Sequence, residues 1–333
     1  MKVIQVGIGG MGNAWLNAVT ASANVAYAGF VEVSDAIAEA QAGKYGLDRG
    51  VIFKTLEEAL DRVEADGVIN VTPPQFHKAV SVTALEAGVP VLSEKPLAGT
   101  LQEAADIVDA ANRTGVLHMV AQNYRYRSAT QTLKKALDSG VCGAVSSATV
   151  EFFKGPHFGG FRDDMDYPLI IDMSIHHFDL MRFFLGKELV AVEGQSWNPP
   201  WSWYRGDASA AVNLTFGDDV HVAYNGSWCS QARRTSWNAN WRFECANGVV
   251  MMVDDVVTTQ VLAPASGDGL EPSVSAPVVV EPVVMQHEGQ AYLLNEFYAA
   301  VMGGQPPVTT CQDNIKSLGI VFGVVESFQR GAR

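Results

Sequence analysis

Four side chains in this sequence have types and spacings that could move protons. Asp172, His176 and Asp179 recur at i, i+4 and i+7 in the otherwise apolar stretch IIDMSIHHFDLMRFFL, residues 170–185. If that stretch is a helix, the three share one face. Ionisable groups on an oily helix are costly unless they pair or line a cavity. An imidazole flanked by carboxylates suits proton acceptance near neutral pH, and Asp172 or Asp179 could fix its tautomer. Two competing readings are a core hydrogen-bond network without chemistry and a metal site. No further His or Cys at ligand spacing supports the metal. His177 points about 100° away from His176 in a regular helix and is the second choice. The fourth side chain is Lys95, in Ser93-Glu94-Lys95-Pro96 after a short apolar run. A lysine in a partly dehydrated cleft can exchange protons or donate to a substrate oxygen. The plain alternative is a surface lysine paired with Glu94.

The amino terminus points to a second kind of chemistry. In KVIQVGIGGMG, residues 2–12, Val3, Ile4 and Val6 read as a buried strand. Gly7, Gly9 and Gly12 follow as G-x-G-x-x-G, with Ile8, Gly10 and Met11 completing the loop, and Ala14, Leu16, Ala18 and Val19 suit a helix. The first glycine makes the tight turn, the second lets backbone approach a pyrophosphate, and the third lets helix and strand pack. The free N–H groups at the helix start then face the phosphates. Residues 25–33 read as a second strand, and Glu32 lies twenty residues after Gly12. A carboxylate there accepts from both ribose hydroxyls of an adenosine. With Val33 and Ser34 beside it and no Arg, Glu32 favours NAD over NADP, because it would repel a 2′-phosphate.

The elements that must hold these groups follow two patterns. Through the first half, strands alternate with helices at 34–45, 77–87 and 102–114, which gives a doubly wound parallel sheet. Ligands of such sheets bind beyond the carboxyl ends of the strands. The glycine turn, Thr72-Pro73-Pro74, Glu94-Lys95-Pro96 and Asn123-Tyr124-Arg125 all stand at strand ends and should converge on one crevice. From about residue 145 the pattern changes to consecutive strands with short turns, as at Gly217-Asp218 and Asn247-Gly248. That predicts a largely antiparallel sheet. Closing helices are expected at 288–302 and 312–330, and residues 263–282 should mix a loop with a strand. The fold class is thus α/β: a Rossmann-type domain over residues 1–122 and an α+β domain over 123–333, whose closing helix could pack back on the first.

Composition narrows the partners. The chain has 333 residues, and its net charge of −13 argues against nucleic acid or an anionic membrane. No run of eighteen apolar residues would span a bilayer. The strand pattern starting at Val3 leaves no room for a signal peptide, so a cytoplasmic location is expected. Cys142, Cys229, Cys245 and Cys311 are far apart, which suits free thiols better than a metal or disulfide framework.

Taken together, Gly7 to Gly12, Thr72-Pro73, Glu94-Lys95-Pro96 and Asp172-x-x-x-His176-x-x-Asp179 make the chain resemble the glucose–fructose oxidoreductase / inositol dehydrogenase / rhizopine-catabolism (Gfo/Idh/MocA) family over essentially its whole length. The resemblance implies a nicotinamide-binding Rossmann domain, then a domain with a large, open, mostly antiparallel sheet through which copies associate as dimers or tetramers. It implies hydride transfer between NAD and a carbon of a sugar, cyclitol or related polyol. Lys95, Asp172 and His176 become the catalytic candidates. The cofactor contacts are expected from Gly7, Ile8, Gly9, Gly10, Met11, Gly12, Glu32, Thr72, Pro73, His77, Glu94, Lys95 and Asn123. Substrate contacts are expected from Lys95, Tyr124, Arg162, Asp172 and His176, and no metal is expected. His176 would take the hydroxyl proton while Lys95 hydrogen-bonds the reacting oxygen, although the sequence leaves open which of the two is the formal base. Arg125 could line the same pocket.

The sequence departs from the pattern near the crevice. Tyr167-Pro168 stands where many relatives carry paired glycines, and Pro74 replaces a frequent Asn. Residues 154–167 and the cluster Trp201-Ser202-Trp203-Tyr204-Arg205 are equally suited to substrate loops and to a subunit interface. Two other functions use the same parts: a glycosidase or lyase that oxidises a sugar transiently, and a nicotinamide-binding regulator without chemistry. Net NADH accumulation separates a dehydrogenase from the first. The acid–base stripe disfavours the second.

Overall fold

The computed structural model describes residues 1–263 and 270–331, so part of the 263–282 stretch lies outside the described residues. The chain forms two units. The first comprises Met1–Asn123 and His287–Leu318, and the second comprises Tyr124–Gln286 and the chain from Gly319 on.

In the first unit six short strands alternate with helices: β1 (Lys2–Val6), α1 (Gly12–Thr20), β2 (Ala26–Val31), α2 (Asp35–Tyr45), β3 (Ile52–Phe53), α3 (Leu56–Arg62), β4 (Gly67–Asn70), α4 (His77–Glu86), β5 (Val91–Ser93), α5 (Leu101–Thr114) and β6 (His118–Val120). The sheet order is β3-β2-β1-β4-β5-β6, and every pairing is parallel. Val68, Ile69, Val91, Leu92, Met119 and Val120 are all fully buried. Strands that are apolar on both faces are what a parallel sheet covered by helices requires. The helix starts are fixed locally. Ser34, Thr55 and Thr100 accept from the N–H of Ile37, Glu58 and Glu103, each cap worth about 1 kcal/mol.

Consecutive numbering reverses at β1, which lies between β2 and β4. Ligands of open parallel sheets bind outside such a switch point. Gly7 follows β1 there with φ +88°, and a Cβ on it would lie 2.8 Å from the Val71 carbonyl oxygen. Both facts require glycine.

A later part of the chain completes this unit, which a division at residue 122 does not anticipate. Helix α8 (Gly289–Gly303) sets Phe297 against β4, and a Cβ on Gly67 would come within 2.8 Å of its ring. The bare glycine and the buried aromatic fit each other, so residues 287–318 belong with the first sheet.

The second unit contains α6 (Ser128–Asp138), β7 (Val145–Phe153), α7 (Ile175–Leu185), β8 (Leu189–Trp197), β9 (Ser209–Phe216), β10 (Val220–Ser227), β11 (Asn240–Cys245), β12 (Gly248–Val253), β13 (Val256–Val261) and β14 (Val278–Val279). Helix α9 (Cys311–Gly331) starts in the first unit and ends in the second. The eight strands run β14-β13-β12-β11-β7-β10-β9-β8, antiparallel except for the central pair β7 and β10. Along β10, Val220, Val222 and Tyr224 are buried while His221, Ala223 and Asn225 are exposed, the period-two pattern of a sheet covered on one face. Helix α7 packs on the covered face: Phe178 lies 5.4 Å from Tyr224, and Phe184 lies 5.1 Å from Trp241, between ring centroids. Among the described residues no helix is long and apolar enough to cross a membrane. All four cysteines are free.

Candidate functional site

The glycine turn is built to leave room. A Cβ on Gly12 would lie 2.8 Å from the Gly7 carbonyl oxygen, so the third glycine lets α1 sit against the turn. A Cβ on Gly9 would meet only Ile37, at 4.0 Å, and one on Gly10 would meet nothing. Protein packing therefore does not explain the glycines at 9 and 10, whereas close approach of a pyrophosphate does. Among the described residues no backbone hydrogen bond uses the N–H of Gly9, Gly10 or Met11, and α1 has no side-chain cap. Those donors are oriented for phosphate. Gln5, which composition alone did not single out, holds the loop from beneath through Nε2 to the carbonyls of Gly7 (3.0 Å) and Gly12 (3.2 Å).

Glu32 follows β2 directly, its carboxylate fixed by two backbone donors, Ser34 N at 2.9 Å and Ile8 N at 3.3 Å. Each oxygen keeps lone pairs for ribose hydroxyls. Lys54 stands at the same corner, but its ammonium is taken by the carbonyls of Glu32 and Val33 and by Asp35 at 2.6 Å. These residues fit an unphosphorylated adenosine ribose.

The loops after β4 and β5 are joined to each other. His77 is fully buried, with Nδ1 2.7 Å from the Pro96 carbonyl oxygen and Nε2 2.8 Å from that of Thr72. Burial lowers its pKa. His77, expected to touch cofactor, is thus packed between two carbonyls; the neutral ring has one N–H and donates to one of them, and the residue joins the Thr72–Pro74 loop to the loop carrying Lys95. Thr72 is held by Asn70, whose Oδ1 accepts from its N–H and hydroxyl. The Glu94 carboxylate accepts from the Trp15 indole at 2.8 Å and from the Lys95 N–H at 3.1 Å. It thus fixes the backbone from which the half-buried Lys95 projects, next to a cis Lys95–Pro96 bond. Asn123 is half-buried at the end of the segment after β6.

In the second unit the marked helix differs from a regular one. Residues Leu169–Ser174 form a π-helical turn before α7. The Ser174 hydroxyl donates to the Leu169 carbonyl five residues back, at 3.0 Å, which stabilises the wide turn. The i, i+4 arithmetic linking Asp172 to His176 assumes 3.6 residues per turn and does not carry through it. Each carboxylate has its own arginine instead. Asp172 accepts from Arg162 Nε at 2.7 Å, and buried Asp179 is held bidentately by Arg125 at 2.6 and 2.7 Å. Arg125, expected to line a pocket, is buried in this pair.

His176 is nearly buried at the start of α7. Its imidazole stacks on Tyr124, with centroids 4.0 Å apart and planes inclined at 11°. The Arg127 guanidinium covers the Tyr124 ring at 3.4 Å and donates to Asn238 at 2.9 Å. A cation, a phenol and an imidazole are thus stacked, and the Asp172 carboxylate acts on the phenol by its charge. Arg127 was not singled out from sequence, although the Tyr-Arg-Tyr-Arg alternation after a strand end was a usable signal. The second choice, His177, is excluded from proton exchange: it is fully buried, with Nδ1 3.3 Å from the Tyr224 hydroxyl and Nε2 3.4 Å from the Trp237 carbonyl oxygen.

Burial pushes the pKa of both His177 and His118 down to about 3. Unfolded, each titrates near 6.5. Below about pH 6.5 the unfolded chain binds protons that the folded chain refuses, so stability is full above that value and falls with pH towards 3. The expected loss at about pH 5 is about 2 kcal/mol per histidine. Urea unfolding near pH 7.5 and near pH 5 measures it, and equal midpoints would contradict the burial argument.

The outer loops of the second unit bring aromatic rings together. Trp203 stacks on His157 at 3.6 Å, Trp201 donates to the Cys229 carbonyl at 3.2 Å while remaining exposed, and Tyr204 is buried. Among the described residues no group of three or more His, Cys, Asp or Glu side chains is placed to hold a metal ion.

Comparison with known proteins agrees with this arrangement. Residues 1–122 match the model of the oxidoreductase family with the NAD-binding Rossmann fold, and residues 130–251 match that of the GFO/IDH/MocA C-terminal domain. The chain is 26% identical to scyllo-inositol 2-dehydrogenase (NAD(+)) of Bacillus subtilis, over 82% of this chain and 78% of that one. It is 24% identical to 1,5-anhydro-D-fructose reductase of Ensifer adhaerens, over 88% and 85%. An oxidoreductase from Agrobacterium radiobacter, solved with NAD+, L-tartaric acid and magnesium, has the same fold: TM-score 0.86, 17% identity, 99% of this chain and 97% of that one. With both its domains matched and an NAD-binding turn of the required geometry, the chain belongs to the Gfo/Idh/MocA family of NAD-binding oxidoreductases.

Proposed function

We propose that this protein oxidises, or in the reverse direction forms, a secondary alcohol carbon of a sugar, cyclitol or related polyol, using NAD. The observation that carries the reading is the Arg127–Tyr124–His176 stack, which gives one imidazole a fixed plane. His176 accepts the proton of the reacting hydroxyl, and Asp172, with Arg162, orients the substrate. Lys95 donates a hydrogen bond to the same oxygen and stabilises charge as it develops. When bound, NAD supplies the hydride acceptor. Gly9 and Gly10 carry its pyrophosphate and Glu32 its adenosine ribose. Thr72, Pro73, Glu94 and Asn123 shape the approach. Support also comes from the relatives, several of which are named as sugar or inositol dehydrogenases. Association into a dimer or tetramer through the open face of the second sheet belongs to the same proposal.

The test is a screen of sugars, cyclitols and sugar acids with NAD, reading nicotinamide reduction. Net NADH accumulation with one of them is expected, and its absence across the panel would contradict the reading. The same assay tests cofactor choice. Because Glu32 repels a 2′-phosphate, kcat/KM with NAD should exceed that with NADP by about tenfold or more. Glu32→Ser should narrow the ratio. Equal turnover with NADP would show that Lys54, not Glu32, governs that corner.

A further inference from the structure

The ends of β7 and β10, the parallel pair at the centre of the second sheet, lead into an aromatic patch that the reaction above leaves unused. Trp228 follows β10 directly and is buried, its ring 5.6 Å from Phe152, 6.1 Å from Phe158 and 5.8 Å from Trp237. Phe158 is 55% exposed and Trp237 38% exposed. Exposed rings of this kind accept the C–H face of a sugar or another flat group.

The polar groups of the patch are donors. Lys154, the first residue after β7, holds its ammonium 5.2 Å from the Trp237 centroid. Burial, then the neighbouring charge of Arg234, holds its pKa below the usual lysine range. Neither Lys154 nor Arg234 makes an ion pair within 4.0 Å among the described residues. The buried indole N–H of Trp228 has no acceptor among them either. Two carboxylates act on Lys154 from further off, Asp254 and Asp255. Asp255 is already engaged by the Ser236 hydroxyl at 2.7 Å and the Asn238 amide at 2.9 Å. Two cations near enough to act on each other, with no carboxylate paired to either within 4.0 Å among the described residues, are an unusual arrangement in a chain of net charge −13. The patch also adjoins the proposed site: the Arg162 guanidinium that holds Asp172 lies 5.3 Å from the Phe158 centroid, while the Trp237 carbonyl and the Phe152 ring back the non-reacting His177.

We propose that Lys154 and Arg234, with the Phe158 and Trp237 faces, form a subsite for a carboxylate or phosphate carried by the substrate, so that the substrate is an anionic sugar or polyol and not a neutral one. The proposal rests on reading the protein as a polyol dehydrogenase, and its test separates the two. Binding is measured by calorimetry on protein saturated with NAD, using D-glucuronate, D-gluconate and D-glucose 6-phosphate against D-glucose. At least one anion should bind about tenfold or more tightly than the neutral sugar, because a charge-assisted contact is roughly twice as strong as a neutral one. Carboxylate or phosphate preference identifies the group. Lys154→Met should abolish the difference, and Lys154→Arg should restore it. If Lys154→Met does not fold, Arg234→Met on the exposed neighbour should reduce the difference in its place. Equal binding of anions and glucose, no binding by any anion, or a preference indifferent to both variants would overturn the proposal. NADH formation is recorded in parallel. Tight anion binding without it would leave the subsite standing and overturn the dehydrogenase reading, and turnover restricted to neutral polyols would do the reverse.

Discussion

Replacing His176 with alanine should lower kcat by about 10²-fold or more, the usual contribution of a positioned general base. The loss should fall on the chemical step, because the glycine turn and Glu32 are untouched by the change, so the NAD dissociation constant should move little. Tyr124→Phe, which keeps the stacked ring, should retain most activity. Tyr124→Leu should not, because the imidazole would lose the flat surface that orients it. Normal turnover by His176→Ala would show that the stack is packing alone.

The second large effect lies one helical turn further on and concerns stability. Asp179→Ala would leave Arg125 buried without its carboxylate, in a pair whose side chains are only 4% and 2% exposed. Removing one partner of such a pair costs about 3–5 kcal/mol, a large share of the stability of an ordinary domain. The urea midpoint should fall accordingly. Arg125→Met combined with Asp179→Leu should recover part of the loss, since apolar replacements remove both charges together. Unchanged stability with lost turnover would return Asp179 to the chemistry.

These two residues show where sequence reasoning works and where it stops. Spacing brought Asp172, His176 and Asp179 to attention, and their cost on an apolar helix was a sound reason to look. What spacing could not supply was the partner of each acid. Arg162 lies ten residues upstream of Asp172, and Arg125 lies 54 residues upstream of Asp179. Nor could it supply the π turn, which depends on a Ser174 hydroxyl reaching back five residues and breaks the 3.6-residue period on which the stripe was drawn. The glycine turn was legible in full because its signals are local: strand, turn, helix and acid within 32 residues. His77 was legible as a residue of interest, but its two carbonyl neighbours were not, because they come from separate loops. The return of α8 to the first sheet was illegible for the same reason. Gly67 and Phe297 are complementary in shape, and shape complementarity over that sequence distance leaves no periodic trace.

The central claim is that His176 and Lys95 serve one substrate oxygen. The most direct measurement is a crystal structure with NADH and a polyol identified by the screen. The account predicts the carbinol oxygen within about 2.6–3.2 Å of both the His176 imidazole and the Lys95 ammonium. A polyol bound with either side chain beyond reach of that oxygen would contradict it.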